Sequence, residues 1–273
     1  MAVLSCRYAA CLVKARSLAS SETSNDDGYL ARSKRPLEML LFLLPFIAFY
    51  EYELTRALRV DDGVITNAAH LGLLRFLSAF GSGDLALSLP AMLLIVCLLL
   101  WHTLLRADWK VDLSIIARMW LESAALAVPV LVLSSVIGVY SASESAAASV
   151  EGWDALTLPA QIAVSIGAGL YEELVFRMML ILALHALLKD ALAVPDRAAT
   201  IVAVTASACL FAIYHPVDPA EVGNARMARF VFLLGAGLFW ALLFLWRGFG
   251  IAAGSHMLYD VAASLLDSSS LEA

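Results

Sequence analysis

The sequence predicts an all-α, polytopic membrane protein of about seven transmembrane helices with one additional amphipathic helix at the membrane interface. Three observations lead to this fold class. Hydrophobic residues make up 62% of the 273 residues and charged residues only 15%, whereas soluble domains contain about 45–50% apolar and about 25% charged residues. The hydrophobic residues are gathered in stretches of the ~20 residues that a membrane-spanning helix requires. Only a few charged side chains lie inside these stretches.

The predicted spans follow one another along the whole chain. The fourth runs over residues 157–188, which is longer than a bilayer requires, so we expect it to be tilted, or kinked at Gly167 and Gly169. Residues 64–80 place leucines at helical spacing beside Arg75, which indicates an interfacial helix. The spans lie near residues 37–54, 85–105, 117–140, 157–188, 198–215, 229–246 and 249–266.

The distribution of charge predicts how the protein sits in its membrane. The loop 106–118 contains three Lys or Arg residues, whereas the loop 141–156 contains acidic residues and no Lys or Arg. Basic loops stay in the cytoplasm, so we expect a cytoplasmic N terminus in a bacterial inner (plasma) membrane. The predicted segments are a polar tail at 1–35, N-terminal transmembrane helices at 36–150, a core with the charged motifs at 151–267 and a polar tail at 268–273.

The first charged motif lies in the fourth span and reads Glu172-Glu173-Leu174-Val175-Phe176-Arg177. Glu173 and Arg177 are four residues apart with the acid first, which is the favourable order for an ion pair within a helix. Glu172 points about 100° away from this pair and has no partner on its own helix.

Placing a charged side chain at the centre of a membrane costs roughly 2.5–3.5 kcal/mol. We therefore expect these groups to face other helices or a cavity, with Glu172 left for chemistry. Alternatively, both acids merely hold helices together.

Two histidine motifs lie on later spans. His215 precedes Pro216 and should lie at the end of the fifth span, because a residue before proline disfavours helical geometry. It could also be an ordinary interfacial side chain. His256 and Asp260 are four residues apart and share a face of the seventh span, where they could simply bind each other. The remaining histidines have no acidic partner at helical spacing and receive no role: His70, His102 and His185.

The three motifs, read in order, resemble those of a known family. E-E-x-x-x-R, F-x-x-x-H and H-x-x-x-D on three hydrophobic segments are similar to the motifs of the CPBP family, the CAAX proteases and bacteriocin-processing proteins. This family includes the type II CAAX prenyl endopeptidases, and the resemblance covers roughly residues 157–266. It implies a CPBP-like catalytic core in the C-terminal part of the chain.

The resemblance also implies a role for each matched residue. Glu172 would be the catalytic acid that activates water, assisted by His215, and Glu173 and Arg177 would support it. His256 and the residue four positions later would hold the oxyanion or a metal ion. The best-studied members carry Asn at that later position, where this chain has Asp260. An ionised Asp cannot donate a hydrogen bond to an oxyanion, although a protonated one can.

The chemistry leaves two mechanisms open. Peptide hydrolysis needs a base that makes water nucleophilic and a donor that stabilises the tetrahedral oxyanion, and neither requires a cofactor. Alternatively, Glu172, His215, His256 and Asp260 could supply ligands to zinc or another divalent metal ion. The presence of Asp260 favours the metal slightly, because a carboxylate is a natural ligand and a poor oxyanion donor.

The predicted function is that of an intramembrane endopeptidase acting on a membrane-associated or lipidated protein or peptide. Its partners would be the lipid bilayer and that substrate, and no basic stripe suggests nucleic acid. The alternative is a proton-coupled transporter or a catalytically silent scaffold, because acid–histidine clusters also mark proton pathways. We find no internal repeat of the kind that transporters often show. Convergence of Glu172, His215 and His256 on one water or ion would distinguish the two classes.

Overall fold

The computed structural model describes residues 28–60, 63–79, 87–137, 156–215 and 223–270. The predicted all-α class is confirmed, and within the described ranges the strands are two antiparallel two-residue segments, β1 (Arg59–Val60) and β2 (Gly63–Val64). The predicted tails fall largely outside these ranges. The helices are α1 (Tyr29–Arg32), α2 (Pro36–Arg56), α3 (Ala68–Ser78), α4 (Leu89–Leu104), α5 (Leu113–Ile137), α6 (Leu158–Glu173), the π-helix π1 (Leu174–Ile181), α7 (Leu182–Ala186), π2 (Leu187–Ala191), α8 (Asp196–Tyr214), α9 (Asn224–Arg247) and α10 (Phe249–Ser270).

Every predicted span corresponds to helical structure, but the count of seven membrane crossings is not confirmed. Within the described part of the chain, four helices are long and apolar enough to cross a bilayer, and α4 is a shorter apolar helix. The fourth predicted span is divided by π-helical turns, so none of its parts has the length of a crossing. The four helices that meet both criteria are α5, α8, α9 and the 249–266 part of α10.

The glycines of the fourth span allow close helix packing. A Cβ atom on Gly167 would lie 2.3 Å from Cε2 of Tyr50, and one on Gly169 would lie 2.5 Å from the backbone nitrogen of Met257. The α-helix continues through both glycines and changes to π-helical geometry only after Glu173. The missing side chains therefore bring α6 against α2 and α10, with the helical irregularity further along the chain.

The helix predicted over residues 64–80 is present as α3, and a histidine connects it to the core. Asn67 caps α3 by accepting a 2.8 Å hydrogen bond from the backbone nitrogen of His70. The His70 ring is fully buried, binds the hydroxyl of Tyr50 and stacks on Tyr171 at a centroid distance of 4.4 Å. A histidine to which the sequence assigned no role thus contacts the residue that precedes Glu172.

The buried side chain of Arg247 holds the segment before α2 in place. Arg247, at the end of α9, makes a bidentate contact with Glu122 of α5, with nitrogen–oxygen distances of 2.5 and 2.7 Å. The same guanidinium donates to the Ser33 hydroxyl at 2.9 Å, and the Tyr29 hydroxyl also binds Glu122. Planar two-point contacts of this kind are strong and directional, so this cluster joins α1, α5 and α9.

Candidate active site

Glu172 meets both motif histidines in the interior of the helical bundle. Its Oε2 atom lies 3.5 Å from Nε2 of His215 and 3.9 Å from Nε2 of His256. Glu172 lies in the last turn of α6, His215 caps the C-terminal end of α8, and His256 lies on α10. All three side chains are buried. Three residues distant in sequence therefore converge on one point.

The position of His215 follows from the end of its helix, as predicted. Helix α8 stops at Tyr214, and His215 adopts an extended backbone with φ −72° and ψ 125°. Its ring turns back along α8, where Nδ1 donates a 2.8 Å hydrogen bond to the carbonyl oxygen of Phe211. The ring is thereby oriented with its Nε2 atom facing Glu172.

Glu173 has two partners, of which the sequence predicted one. The expected ion pair is present, with Oε1 of Glu173 3.3 Å from Nη1 of Arg177. The same Oε1 atom accepts a 2.9 Å hydrogen bond from Nδ1 of His256. Arg177 also donates to the carbonyl oxygen of Gly237 at 3.1 Å and lies over the Phe211 ring at 4.4 Å. Glu173 therefore both neutralises Arg177 and orients His256.

Asp260 joins the cluster through His256. Its Oδ2 atom lies 3.5 Å from Nε2 of His256, one helical turn away. The nearest carboxylate to the His256 ring is nevertheless that of Glu173, on the opposite nitrogen. The two acids thus bracket the imidazole. Three carboxyl groups, two imidazoles and one guanidinium therefore share this cluster.

A small cavity opens beside Glu172. Its volume is about 20 Å³, which is room for one water molecule, since a water requires about 10–15 Å³ by the same measure. Acidic and histidine side chains line it together with aromatic and aliphatic groups. Such a cavity can hold a water against a carboxylate while excluding bulk solvent. The acidic and histidine residues of the lining are Glu172, His215, His256 and Asp260.

The four predicted metal ligands lie close together, but their arrangement does not fit a metal site. Across the described ranges, no group of three or more His, Cys, Asp or Glu side chains is placed to hold a metal ion. Both imidazoles engage Nδ1 and direct Nε2 inward, an orientation that metal-binding histidines share with catalytic ones. The donor types suit a divalent ion, whereas their placement does not.

The sequence missed the aromatic wall of the site. Trp240 of α9 stacks on His256 with a centroid distance of 3.6 Å and an interplanar angle of 15°. Phe211 packs edge-on against Trp240 and tilted against His215. Of these, Phe211 stands in the F-x-x-x-H motif. Trp240 lies in a span without any motif, and no spacing rule could have placed it against a histidine 16 residues later in the chain.

Residues 154–262 match the protein family described as type II CAAX prenyl endopeptidase Rce1-like. No curated protein and no solved structure matches the chain. The matched region contains all six predicted site residues, confirms the family that the motifs resemble, and supports an integral membrane protein whose substrate is a peptide or protein.

Proposed function

Because residues 154–262 belong to the Rce1-like family of type II CAAX prenyl endopeptidases, we propose that this protein is an intramembrane endopeptidase in which Glu172 activates the attacking water. The observation that carries the proposal is the convergence of Glu172, His215 and His256 on a cavity of about 20 Å³. A carboxylate beside a one-water cavity can act as the general base that activates water for hydrolysis of a peptide bond.

The reaction balances with the groups present. Glu172 accepts a proton from water as the water oxygen attacks the carbonyl carbon of the scissile peptide bond. The carbonyl oxygen becomes an oxyanion in the tetrahedral intermediate. The carbon–nitrogen bond then breaks, and Glu172 returns the proton to the departing amine nitrogen. His215, 3.5 Å from Glu172, steadies the carboxylate through these two proton transfers.

We further propose that the substrate is a lipidated peptide or protein in the membrane. An apolar groove of about 270 Å³ lies between α3, α4 and π1, and it includes Leu174, two residues after Glu172. Its lining offers almost no polar atoms, which suits a hydrocarbon chain. The proposed location is the bacterial inner membrane with a cytoplasmic N terminus, on the basis of the Lys and Arg distribution.

A second candidate is a metal-assisted hydrolase. The observation that favours it is the inward orientation of Nε2 on both His215 and His256. Elemental analysis of the active, purified protein separates the two candidates. We expect full activity without a stoichiometric metal ion and after treatment with a chelator. About one equivalent of zinc, lost on chelation together with the activity, would establish the metalloenzyme instead.

The proposed activity can be tested with one peptide series in lipid nanodiscs. The probe is an internally quenched peptide that ends in a prenyl-cysteine and three further residues, and its products are identified by mass spectrometry. We expect one cleavage, with a single ¹⁸O incorporated into the new carboxylate when the reaction runs in H₂¹⁸O.

Two controls define the outcome. Empty nanodiscs measure spontaneous hydrolysis, and the same peptide without its prenyl group measures the contribution of the lipid. Slower cleavage of the unmodified peptide would support a lipidated substrate, and equal rates would contradict that part of the proposal. Folded protein that cleaves neither peptide would contradict the endopeptidase and favour the proton-coupled transporter or silent scaffold.

A further inference from the structure

Trp240 carries a buried hydrogen-bond donor that no protein group satisfies. The residue is 1% exposed, and its indole Nε1 has no hydrogen-bond partner in the part of the chain that the structure describes. Buried donors without partners are rare in native proteins, because removing a polar group from water without a replacement bond is unfavourable. An unpaired donor of this kind is a candidate to bind something other than the protein.

The side chain lies against the catalytic groups. Trp240 lines the same cavity as Glu172 and His256, and its ring is held parallel to the His256 imidazole at 3.6 Å between centroids. Phe211 and Tyr259 also pack edge-on against the indole ring. Aromatic contacts on several sides therefore hold the ring in place beside the cavity.

The mechanism needs a donor that the other polar groups do not offer. His256 donates from Nδ1 to Glu173 and has the carboxylates of Glu172 and Asp260 within 3.9 Å and 3.5 Å of Nε2. His215 donates from Nδ1 to a carbonyl oxygen and turns Nε2 towards Glu172. An ionised Asp260 can only accept hydrogen bonds. These donors already face protein acceptors.

A tyrosine hydroxyl offers a weaker alternative to the indole. Tyr259 also lines the cavity, and its hydroxyl makes no hydrogen bond of good geometry among the described residues. Ser134 of α5 lies beside that hydroxyl, however. The Tyr259 hydroxyl is therefore directed towards α5, whereas the Trp240 N–H faces no such neighbour in the described part of the chain.

We propose that the Nε1–H group of Trp240 donates a hydrogen bond to the carbonyl oxygen of the scissile bond and stabilises the oxyanion of the tetrahedral intermediate. This inference rests on the proposed endopeptidase function. It assigns the donor to α9, because the indole N–H can donate whatever the protonation state of the site, whereas Asp260 can donate only when it is protonated. The indole carries no charge, so it stabilises the developing oxyanion without adding an ion to the buried cluster.

The test removes the N–H while keeping the ring. Trp240→Phe retains an aromatic face against His256 and should lower kcat by about 100- to 1000-fold, the usual effect of losing one oxyanion donor, with KM for the prenylated peptide unchanged. Trp246→Phe is the matched control, because Trp246 lies on the same helix and is 61% exposed. It should retain the parent kcat.

An isosteric variant separates hydrogen bonding from packing. Replacement of Trp240 by 3-benzothienylalanine exchanges the N–H for sulfur and preserves the size of the ring system, so it remains informative even if Trp240→Phe fails to fold. A similar fall in kcat with an unchanged melting temperature supports the donor. A parent-like kcat for this variant overturns the proposed donor role, because packing alone would then suffice.

If Glu172→Gln is inactive while the isosteric variant is fully active, this inference fails and the proposed function stands. A parent protein without any cleavage overturns both.

Discussion

Glu172 and Glu173 are adjacent in sequence but bind different partners. Glu173 lies between Arg177 and His256, at 3.3 and 2.9 Å, and is fully buried away from the cavity. Glu172 borders the cavity and approaches two imidazoles at 3.5 and 3.9 Å. This difference in contacts separates a residue that orients the site from one that can reach water.

Removing one member of the buried Glu173–Arg177 ion pair should destabilise the protein strongly. Arg177→Ala leaves the carboxylate of Glu173 without its guanidinium in a fully buried position, which typically costs ~3–5 kcal/mol. We expect a marked decrease in the melting temperature in detergent. The double change Glu173→Gln with Arg177→Gln removes both charges and should recover part of the loss. A double variant no more stable than either single variant would contradict the pair.

Asp260 should tolerate replacement by asparagine. Asn is the residue that the resemblance implies at this position, and its amide can donate to an oxyanion. Asp260→Asn removes one carboxylate 3.5 Å from His256 but leaves Glu172 and Glu173 in place. We expect peptide cleavage within about tenfold of the parent, because amide and carboxyl groups have similar sizes. Complete inactivity together with loss of a bound metal ion would favour the metalloenzyme.

At the scale of helices, the contact between α6 and α10 sets the distance between Glu172 and His256. Gly169 allows this contact, because a Cβ atom there would lie 2.5 Å from the backbone nitrogen of Met257. Gly169→Ala should separate the helices at a cost of about 1–3 kcal/mol and should lower both the melting temperature and kcat. Gly72→Ala is the control, because no described atom lies within 4 Å of its added Cβ. Equal behaviour of the two variants would show that the contact is unimportant.

The interfacial helix α3 should make stability depend on pH. Burial lowers the pKa of His70 from 6.5 to about 4, so the unfolded chain binds a proton between these values and the folded protein does not. Stability is therefore complete above pH 6.5 and decreases as the pH falls towards 4. The linkage relation gives a loss of about 2 kcal/mol at pH 5.

The variant His70→Gln isolates this effect. It removes the titrating ring, so its melting temperature should change less than that of the parent between pH 7.5 and pH 5. The other titrating groups remain in both proteins, which makes the difference between them specific to His70. The hydroxyls of Tyr50 and Thr66 that bind His70 should lose their partner in part, lowering stability at both pH values. Parallel pH curves would contradict the buried, neutral His70.

For the molecule as a whole, the sequence predicted features that depend on local spacing, but it did not predict the contacts between separate helices. The helices, the end of α8 at His215 and the pair Glu173–Arg177 follow from periodicity, proline and i,i+4 geometry, all of which act within a few residues. The stacking of Trp240 on His256 and the contact of Arg247 with Glu122 join separate helices. No periodicity encodes such contacts, because they depend on how complete helices pack.

The N-terminal half of the chain supports the site from outside the matched family region. Tyr50 fills the space left by Gly167, and the His70 ring stacks on Tyr171. The contact of Arg247 with Glu122 connects the end of α9 to α5. Helices outside residues 154–262 thus pack against the helix that carries Glu172, so we expect the proposed activity to require these helices as well as the matched region.

The role of Glu172 as the base that activates water can be tested by comparing three proteins. The rate of prenyl-peptide cleavage is compared for the parent, Glu172→Gln and Glu51→Gln, where Glu51 is a partly buried acid of α2 that does not line the cavity. Gln matches the carboxylate in size but cannot accept the proton. We expect Glu172→Gln to lose at least about 1000-fold in kcat with a parent-like melting temperature, and Glu51→Gln to remain active. A Glu172→Gln protein with activity within tenfold of the parent would show that Glu172 is not the base.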